Sequence, residues 1–290
     1  MNVHHLNAAT LCPVGMRLIN GSGSLFKRAR MVCHVLAIET GDGIVLVDTG
    51  LGTGDIADPK RLGTTWLWQL SPRLDAAETV AAQLRARGVA RSEVRDIVLT
   101  HLDFDHAGGV ADFPDARVHV HVREHAAATR LEEARPRGRY VGAHVAHGPR
   151  WKLFDDGGER WFGFDGVRAL SERHPEILLV PLRGHTHGHT GVAVRSGDRW
   201  VLHAGDAYFF HRQVETPPNA PLALRFFQRR GDVDRAARQA NQERLRVLAS
   251  AHAAEVTIVC SHDPVELDRA VLQETLAVRG PMATPDSLPL

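Results

Sequence analysis

The chain is built mainly from short apolar runs that are separated by glycine-rich or polar turns. Apolar or alternating runs of about four to eight residues are typical of buried or half-buried strands. They predict strands at residues 31–38, 44–47, 96–100, 118–122, 177–180, 192–194, 200–203 and 256–260. Capped or amphipathic segments predict helices at residues 75–87, 123–134, 234–251 and 265–278. Strands and helices that alternate in this way indicate an α/β fold.

Several segments lack a clear period. Residues 1–30 are mixed, and the prolines within residues 217–221 indicate a loop. Residues 51–72 are glycine-rich and carry Trp66 and Trp68, which predicts a long loop with an aromatic tip. Long loops that carry tryptophan are more often functional than disordered. We therefore expect both tryptophans to contribute to a pocket wall.

Residues 135–166 form a second irregular stretch, rich in glycine, arginine and aromatic residues. It is either an ordinary excursion packed on the core or an insertion that builds a substrate pocket. We favour the pocket, with Tyr140 and Trp151 as candidate wall residues. The prolines beyond residue 278 indicate a loosely held tail.

Composition excludes several classes of protein. The 290 residues are 43% hydrophobic, enough for one large domain or two small ones, and the formal net charge is +1. Without a basic patch or a long apolar run, we expect neither a nucleic-acid partner nor a membrane span. The first residues lack the pattern of a secretory signal, so we expect a cytoplasmic protein. Cys12, Cys33 and Cys260 form no paired motif; Cys33 and Cys260 are expected to be buried small hydrophobes.

The chemistry concentrates after the predicted strand at residues 96–100. There His101, Asp103, Asp105 and His106 place four potential metal ligands within six positions, and two glycines follow. Imidazole and carboxylate together suit zinc, iron or manganese. The alternative is a polar loop with solvated carboxylates. Ligand-type residues later in the chain favour the metal site.

Those later residues share a position relative to the strands. His101, His185, Asp206 and His262 each follow an apolar strand-like run directly or within a few residues. Strand ends share one edge in layered α/β folds, so these side chains can converge despite their separation in sequence. Asp48 also ends a predicted strand, and it is either a turn residue or an acceptor that orients a ligand histidine.

The segments together resemble the metallo-β-lactamase superfamily of metal-dependent hydrolases. The resemblance covers roughly residues 30–265, and it implies a single domain over residues 1–290 with an αββα sandwich and two metal ions at one sheet edge. Its motifs are His101-Leu102-Asp103-Phe104-Asp105-His106, Gly184-His185-Thr186-His187-Gly188-His189, Gly205-Asp206, Ser261-His262 and Val47-Asp48-Thr49-Gly50.

The resemblance also implies a role for each matching residue. The first metal would be bound by His101 and His185, the second by Asp105, His106 and His262, with Asp206 bridging the two, Asp48 orienting a ligand, and His189 structural or behind the ligands. Two divalent ions, with zinc expected first, would hold a bridging hydroxide as the nucleophile. Asp105 is therefore also a candidate catalytic residue.

Asp103 departs from the family pattern, which has a histidine there. A carboxylate adds negative charge to the first metal, weakens its Lewis acidity and favours iron or manganese. We favour direct ligation by Asp103. The alternatives are a weak first site with one metal in total, and a substrate-binding role for this side chain.

Among the activities of the superfamily, hydrolysis of a small ester or lactone fits best. The lactonase-like members share the Ser-His-Asp ending at residues 261–263 and a tyrosine near the bridging aspartate. Tyr208 is thus a candidate to assist the substrate carbonyl, or else a wall residue. The runner-up is a non-haem di-iron oxidoreductase of the flavodiiron type, because that group carries a carboxylate where this chain has Asp103. Thioester or phosphoester hydrolysis and a non-catalytic metal protein are further alternatives. We expect a small-molecule substrate and a monomer or homodimer.

Overall fold

The computed structural model describes residues 1–129 and 138–279. Two six-stranded sheets pack face to face, and helices cover their outer surfaces. This is the αββα sandwich that the sequence predicts.

The first sheet contains the N-terminal half of the strands, in sequence order. Its members are β1 (Asn2–Leu11), β2 (Met31–Thr40), β3 (Gly43–Val47), β4 (Val94–Val98), β5 (Arg117–His121) and β6 (Arg150–Phe154). The strands β1 to β3 are antiparallel neighbours, and β3 to β6 run parallel. The parallel strands end at a common edge, which is where the metal-ligand motif follows β4.

The second sheet contains the C-terminal half. Its members are β7 (Glu159–Trp161), β8 (Phe164–Ser171), β9 (His174–Pro181), β10 (Thr190–Ser196), β11 (Arg199–His203) and β12 (Val256–Val259). Antiparallel pairing joins β7 through β11, whereas β12 pairs in parallel with β11. The ends of β11 and β12 therefore point the same way.

Helices connect and cover the strands. They are α1 (Met16–Asn20), α2 (Thr53–Ala57), α3 (Thr64–Leu70), α4 (Val80–Ala86), α5 (Phe104–Ala107), α6 (Val122–Thr129), α7 (Gly142–Val145), α8 (Leu222–Gly231), α9 (Arg235–Ala251) and α10 (Pro264–Arg279). Side-chain caps fix two starts, since Thr79 and Asp234 each accept a backbone N–H of the first turn of α4 and α9. Within residues 1–129 and 138–279, no helix is long and apolar enough to cross a membrane.

The core lies mainly between the sheets and under the helices. Leu36 and Ile38 of β2 meet Ile177 and Val192 of the second sheet in the central layer. The alternate β2 residues, such as Val35, face the helices on the outside of the first sheet. A strand buried on both faces explains why residues 31–38 are apolar apart from His34.

Three expectations about irregular segments are corrected by the structure. The mixed residues 1–30 contain the ten-residue strand β1, and residues 51–72 contain α2 and α3 instead of one long loop. Within residues 135–166, the described part holds α7, the edge strand β6, β7 and the start of β8. A helix, α8, follows the proline-containing loop at residues 217–221. The remaining expected parts of the 123–134 helix and of the tail fall in residues 130–137 and 280–290, outside the described residues.

Candidate metal centre

Four loops bring the expected ligands together at one edge of the sandwich. The motif at residues 101–106 follows β4, and His185 lies in the turn between β9 and β10. Asp206 follows β11, and His262 follows β12. All of these side chains are buried, with exposures of 8% or less.

Asp206 lies between two groups of histidines. Its Oδ2 atom is 3.3 Å from Nε2 of His185 and 3.8 Å from Nε2 of His101. Its Oδ1 atom is 3.3 Å from Nε2 of His262 and 3.4 Å from Nε2 of His106. One carboxylate therefore faces both groups, with a different oxygen toward each.

Asp103 and Asp105 add a carboxylate to each group. Oδ2 of Asp103 lies 3.2 Å from Nε2 of His185 and 3.4 Å from Nε2 of His101. Oδ2 of Asp105 lies 3.6 Å from Nε2 of His262, and its Oδ1 lies 3.8 Å from Nε2 of His106. Asp103 thus places a potential ligand atom beside His101 and His185.

These donors fit divalent cations. Ligand atoms about 2.0–2.1 Å from a tetrahedral metal are about 3.3–3.4 Å apart, close to the 3.2–3.8 Å separations observed between the two groups and their carboxylates. Nε2 of His101, Nε2 of His106 and Oδ1 of Asp206 are buried and have no hydrogen-bond partner. Buried polar atoms rarely remain unpaired, so these three atoms fit residues that bind a cation.

Asp48 holds Nδ1 of His106 directly and Nδ1 of His101 through the Thr100 hydroxyl. Its Oδ2 accepts from Nδ1 of His106 at 2.8 Å, and its two oxygens accept the Thr100 N–H and hydroxyl, each at 2.8 Å. With the Thr100 hydroxyl proton directed to Asp48, the Thr100 oxygen accepts from Nδ1 of His101 at 3.0 Å. Protons on both Nδ1 atoms leave both Nε2 lone pairs facing the centre.

Backbone contacts orient two further histidines, His262 and His189. His262 donates from Nδ1 to the Val32 carbonyl at 2.8 Å. His189 donates from Nδ1 to the Leu182 carbonyl at 2.9 Å, and its Nε2 accepts the Asp206 N–H at 2.8 Å. His189 therefore holds the loop of Asp206 and does not face the other ligand atoms.

The carboxylates make the centre attractive to positive charge. Burial lowers the pKa of His106, but Asp206, Asp48 and Asp105 outweigh it and raise that pKa well above its ordinary value. Burial also opposes ionisation of Asp206, yet the neighbouring His262 and His106 hold its pKa well below the usual range. A divalent ion would satisfy the same excess of negative charge.

Glu124 links the loops of the centre, and sequence reasoning missed it. Its Oε1 accepts the Leu102 N–H and the Tyr140 hydroxyl, each at 3.1 Å, and its Oε2 accepts the Gly188 N–H at 3.0 Å. Glu124 is fully buried at the start of α6. Glu124 lies in a segment predicted as a helix, where glutamate is common, so its role could not be predicted from the sequence.

Cys33 and Arg139 also reach the centre. The sulfur of Cys33 and one ligand atom each of Asp105 and His262 lie within 4.8 Å of one another. Cys33 is buried, as its apolar run predicts. Nε of Arg139 lies 3.3 Å from Oδ1 of Asp103. Neither side chain belongs to a motif of the sequence.

Comparison with known protein families identifies the family of this chain. A sequence model described as the metallo-beta-lactamase superfamily matches residues 28–262. The chain belongs to this superfamily. Among curated members, it is 40% identical over 264 residues to a probable metallo-hydrolase of Mycobacterium tuberculosis, covering 91% of this chain and 81% of that protein. It is 30% identical over 165 residues to an N-acyl homoserine lactonase of Bacillus cereus, covering 57% and 58%.

Solved structures of lactonases share the fold. A Bacillus thuringiensis AiiA mutant with N-decanoyl-L-homoserine at its active site has a TM-score of 0.68 and 18% identity, covering 92% of this chain and 95% of that one. AidC, a dizinc quorum-quenching lactonase, has a TM-score of 0.58 and 17% identity, covering 90% and 87%. At these identities the likeness establishes the fold alone.

An aromatic wall borders the centre of this superfamily member. The Phe209 ring lies 5.0 Å from the ring of His262 and 5.9 Å from that of His185, centroid to centroid. Trp66 packs on Phe104 at 5.3 Å and on Phe227 at 6.3 Å. Of the four aromatic residues predicted to line a pocket, Trp66 is thus the one that packs on the metal-site helix α5.

Three other aromatic candidates, Tyr208, Trp68 and Trp151, make different contacts. Tyr208 is fully buried, and its hydroxyl donates to Oε1 of Glu266 at 2.9 Å. Trp68 is 81% exposed on α3, and Trp151 on β6 packs against His125 at 5.0 Å. Tyr208 and its neighbour Phe209 face opposite ways because the backbone is extended there.

Proposed function

We propose that this member of the superfamily is a metal-dependent hydrolase of a small carboxylic ester or lactone. The observation that carries the proposal is the Asp206 carboxylate, which presents one oxygen to each of two histidine groups. Such an arrangement suits two cations held side by side. The named relatives, a probable metallo-hydrolase and an N-acyl homoserine lactonase, support the same class.

The ligand assignment follows the two groups. His101, Asp103 and His185 would hold the first ion, Asp105, His106 and His262 the second, and Asp206 would contact both. We propose zinc, with iron or manganese as alternatives. Bound divalent ions supply Lewis acidity toward a carbonyl oxygen and lower the pKa of water toward neutrality.

The residues around the ligands prepare the centre for this chemistry. Asp48 and Thr100 keep protons on the outer nitrogens of His106 and His101, so the inner lone pairs stay available. The buried Phe209 ring packs edge to face against the rings of His185 and His262 and adds an apolar group beside the centre. A low-dielectric surround strengthens every charge interaction inside the centre.

The proposed substrate is small and carries an ester or lactone carbonyl. Trp66 is partly exposed and offers apolar surface suited to an acyl or aryl group. No phenol hydroxyl is needed in this proposal, because the hydroxyl of Tyr208 is bonded to Glu266.

A di-iron oxidoreductase is the second candidate. The position of Asp103 favours it, since a carboxylate faces His101 and His185 where a histidine is the family pattern. Harder ions such as iron prefer oxygen ligands.

Metal analysis followed by a substrate panel tests the proposal. We expect about two zinc ions per chain after reconstitution. The zinc protein should hydrolyse acyl homoserine lactones or aryl esters faster than thioesters and phosphotriesters. Asp206→Asn should abolish this activity, whereas Asp165→Asn, a change at an exposed side chain, should not. No bound metal after reconstitution would overturn the proposed hydrolase. Inactivity on all lactones and esters would overturn the proposed substrate class. Two redox-active iron atoms per chain would favour the di-iron oxidoreductase.

A further inference from the structure

A nearly buried guanidinium lies behind the unusual ligand position. Arg139 is 8% exposed, and its Nε lies 3.3 Å from Oδ1 of Asp103. Its two terminal nitrogens donate to the His185 carbonyl at 3.2 Å and to the Gly231 carbonyl at 2.7 Å. The Arg139 carbonyl also accepts the Phe104 N–H at 3.0 Å. The side chain is thus fixed from several sides at the back of the centre.

The two oxygens of Asp103 face different partners. Oδ2 points to Nε2 of His101 and His185, at 3.4 Å and 3.2 Å, and Oδ1 points to Arg139. A carboxylate oriented in this way can bind a cation with one oxygen while the other stays next to the guanidinium. Outer partners of this kind are common for ligating carboxylates and tune the metal.

The charges of the pair are complementary in a way that the sequence motif alone does not show. An aspartate in place of a neutral histidine adds one negative charge to the first metal position. Arginine stays protonated in proteins, so Arg139 adds one positive charge within ion-pair distance of it. At low exposure this contact is screened little by solvent.

We propose that Arg139 cancels the charge of Asp103, so that the Asp103–Arg139 pair replaces a neutral histidine at the first metal. The inference rests on the proposed metal centre and concerns how that centre is tuned. It reverses the expectation that Asp103 weakens the Lewis acidity of the first ion and selects iron or manganese. The first site keeps the formal charge of a three-histidine site and hence its suitability for zinc.

Reciprocal substitutions test the pair. The readouts are metal content, zinc affinity by chelator competition, and the visible spectrum of the cobalt-substituted protein. Arg139→Met leaves an uncompensated carboxylate, and Asp103→His leaves an uncompensated buried guanidinium. We expect each single change to weaken zinc binding at the first site by about 10–100-fold. The double variant Asp103→His/Arg139→Met should regain most of this loss, and Arg139→Lys should lose less than Arg139→Met.

Controls separate the possible failures. Arg117→Met removes an arginine that pairs with Asp96 in the body of the first sheet, and it should leave zinc affinity unchanged. If Arg139→Met alone fails to fold, the double variant still decides the proposal, because it contains neither charge. Unchanged affinity and spectrum in Arg139→Met, or a double variant as weak as the single ones, would overturn the pairing while leaving the hydrolase intact. A parent protein that binds no metal would overturn both.

Discussion

Nδ1 of His106 lies 2.8 Å from Oδ2 of Asp48, and both side chains are buried beside the metal centre. Asp48 has a φ of 60°, a left-handed conformation that asparagine also adopts readily. Asp48→Asn therefore keeps the backbone but turns one acceptor into a donor that faces the donors of His106 and Thr100. We expect zinc affinity to fall about 10–100-fold, measured by chelator competition. Asp42→Asn, in the exposed β2–β3 turn, serves as control, and equal affinities would contradict the orienting role.

The hydroxyl of Tyr208 leads to a different prediction. It is bonded to the buried Glu266, whose carboxylate also accepts the Cys260 N–H. Burial, followed by the nearby Asp263, raises the pKa of Glu266 to about 8. Tyr208→Phe removes one partner of this carboxyl group and should lower the free energy of unfolding by about 1–3 kcal/mol. We expect kcat/KM per folded molecule to change by less than about twofold. A large loss of kcat with unchanged stability would instead assign the phenol to catalysis.

Gly108 allows the metal-site helix to approach the loop after β3. A Cβ atom at this position would lie 2.4 Å from Oδ2 of Asp55 and 2.7 Å from the Gly50 carbonyl oxygen. Gly108→Ala should lower the free energy of unfolding by about 1–3 kcal/mol and weaken metal binding, because α5 must shift. Gly41→Ala is the matched control, since no atom lies within 4 Å of its added methyl group. Thermal unfolding and metal content of both variants check this, and equal effects would refute it.

His5 predicts a pH dependence of stability. Burial lowers the pKa of His5 to about 4, and its Nδ1 lies 2.8 Å from Nε2 of His34. Below pH 6.5 the unfolded chain protonates this imidazole, while the folded chain resists until about pH 4. The unfolded state then binds more protons, so the free energy of unfolding falls with falling pH, by at most about 1.4 kcal/mol per pH unit from this group. Urea titrations at several pH values give the free energy of unfolding at each pH. This free energy should change less steeply with pH in His5→Gln than in the parent. The same pH dependence of the unfolding free energy in both proteins would exclude His5 as its source.

Much of the centre could be predicted because its ligands follow strands. The runs before His101, His185, Asp206 and His262 are apolar enough to be recognised, and strand ends meet at one edge of the sandwich. The structure brings these four residues together with Asp103, Asp105 and His106. The fold followed from the same motifs.

Other parts could not be predicted, for physical reasons. Arg139 acts through a contact with Asp103 that is 36 positions away in sequence, and nothing in the local pattern of either residue signals the other. Helix α3 starts with two threonines after Gly63, a poor intrinsic helix start, and Trp66 anchors it through tertiary packing. In such segments, contacts with distant residues outweigh local propensity.

The position of His262 has a consequence for the order of events during synthesis. Its Nδ1 donates to the Val32 carbonyl of β2, and the His34 N–H of the same strand donates to the Ser261 carbonyl. The end of β12 is therefore attached to an early strand of the other sheet. A ribosome adds about 5–20 residues per second, so the motif at residues 101–106 emerges many seconds before His262. The proposed metal centre can therefore be completed only after nearly all of residues 1–262 have been synthesised.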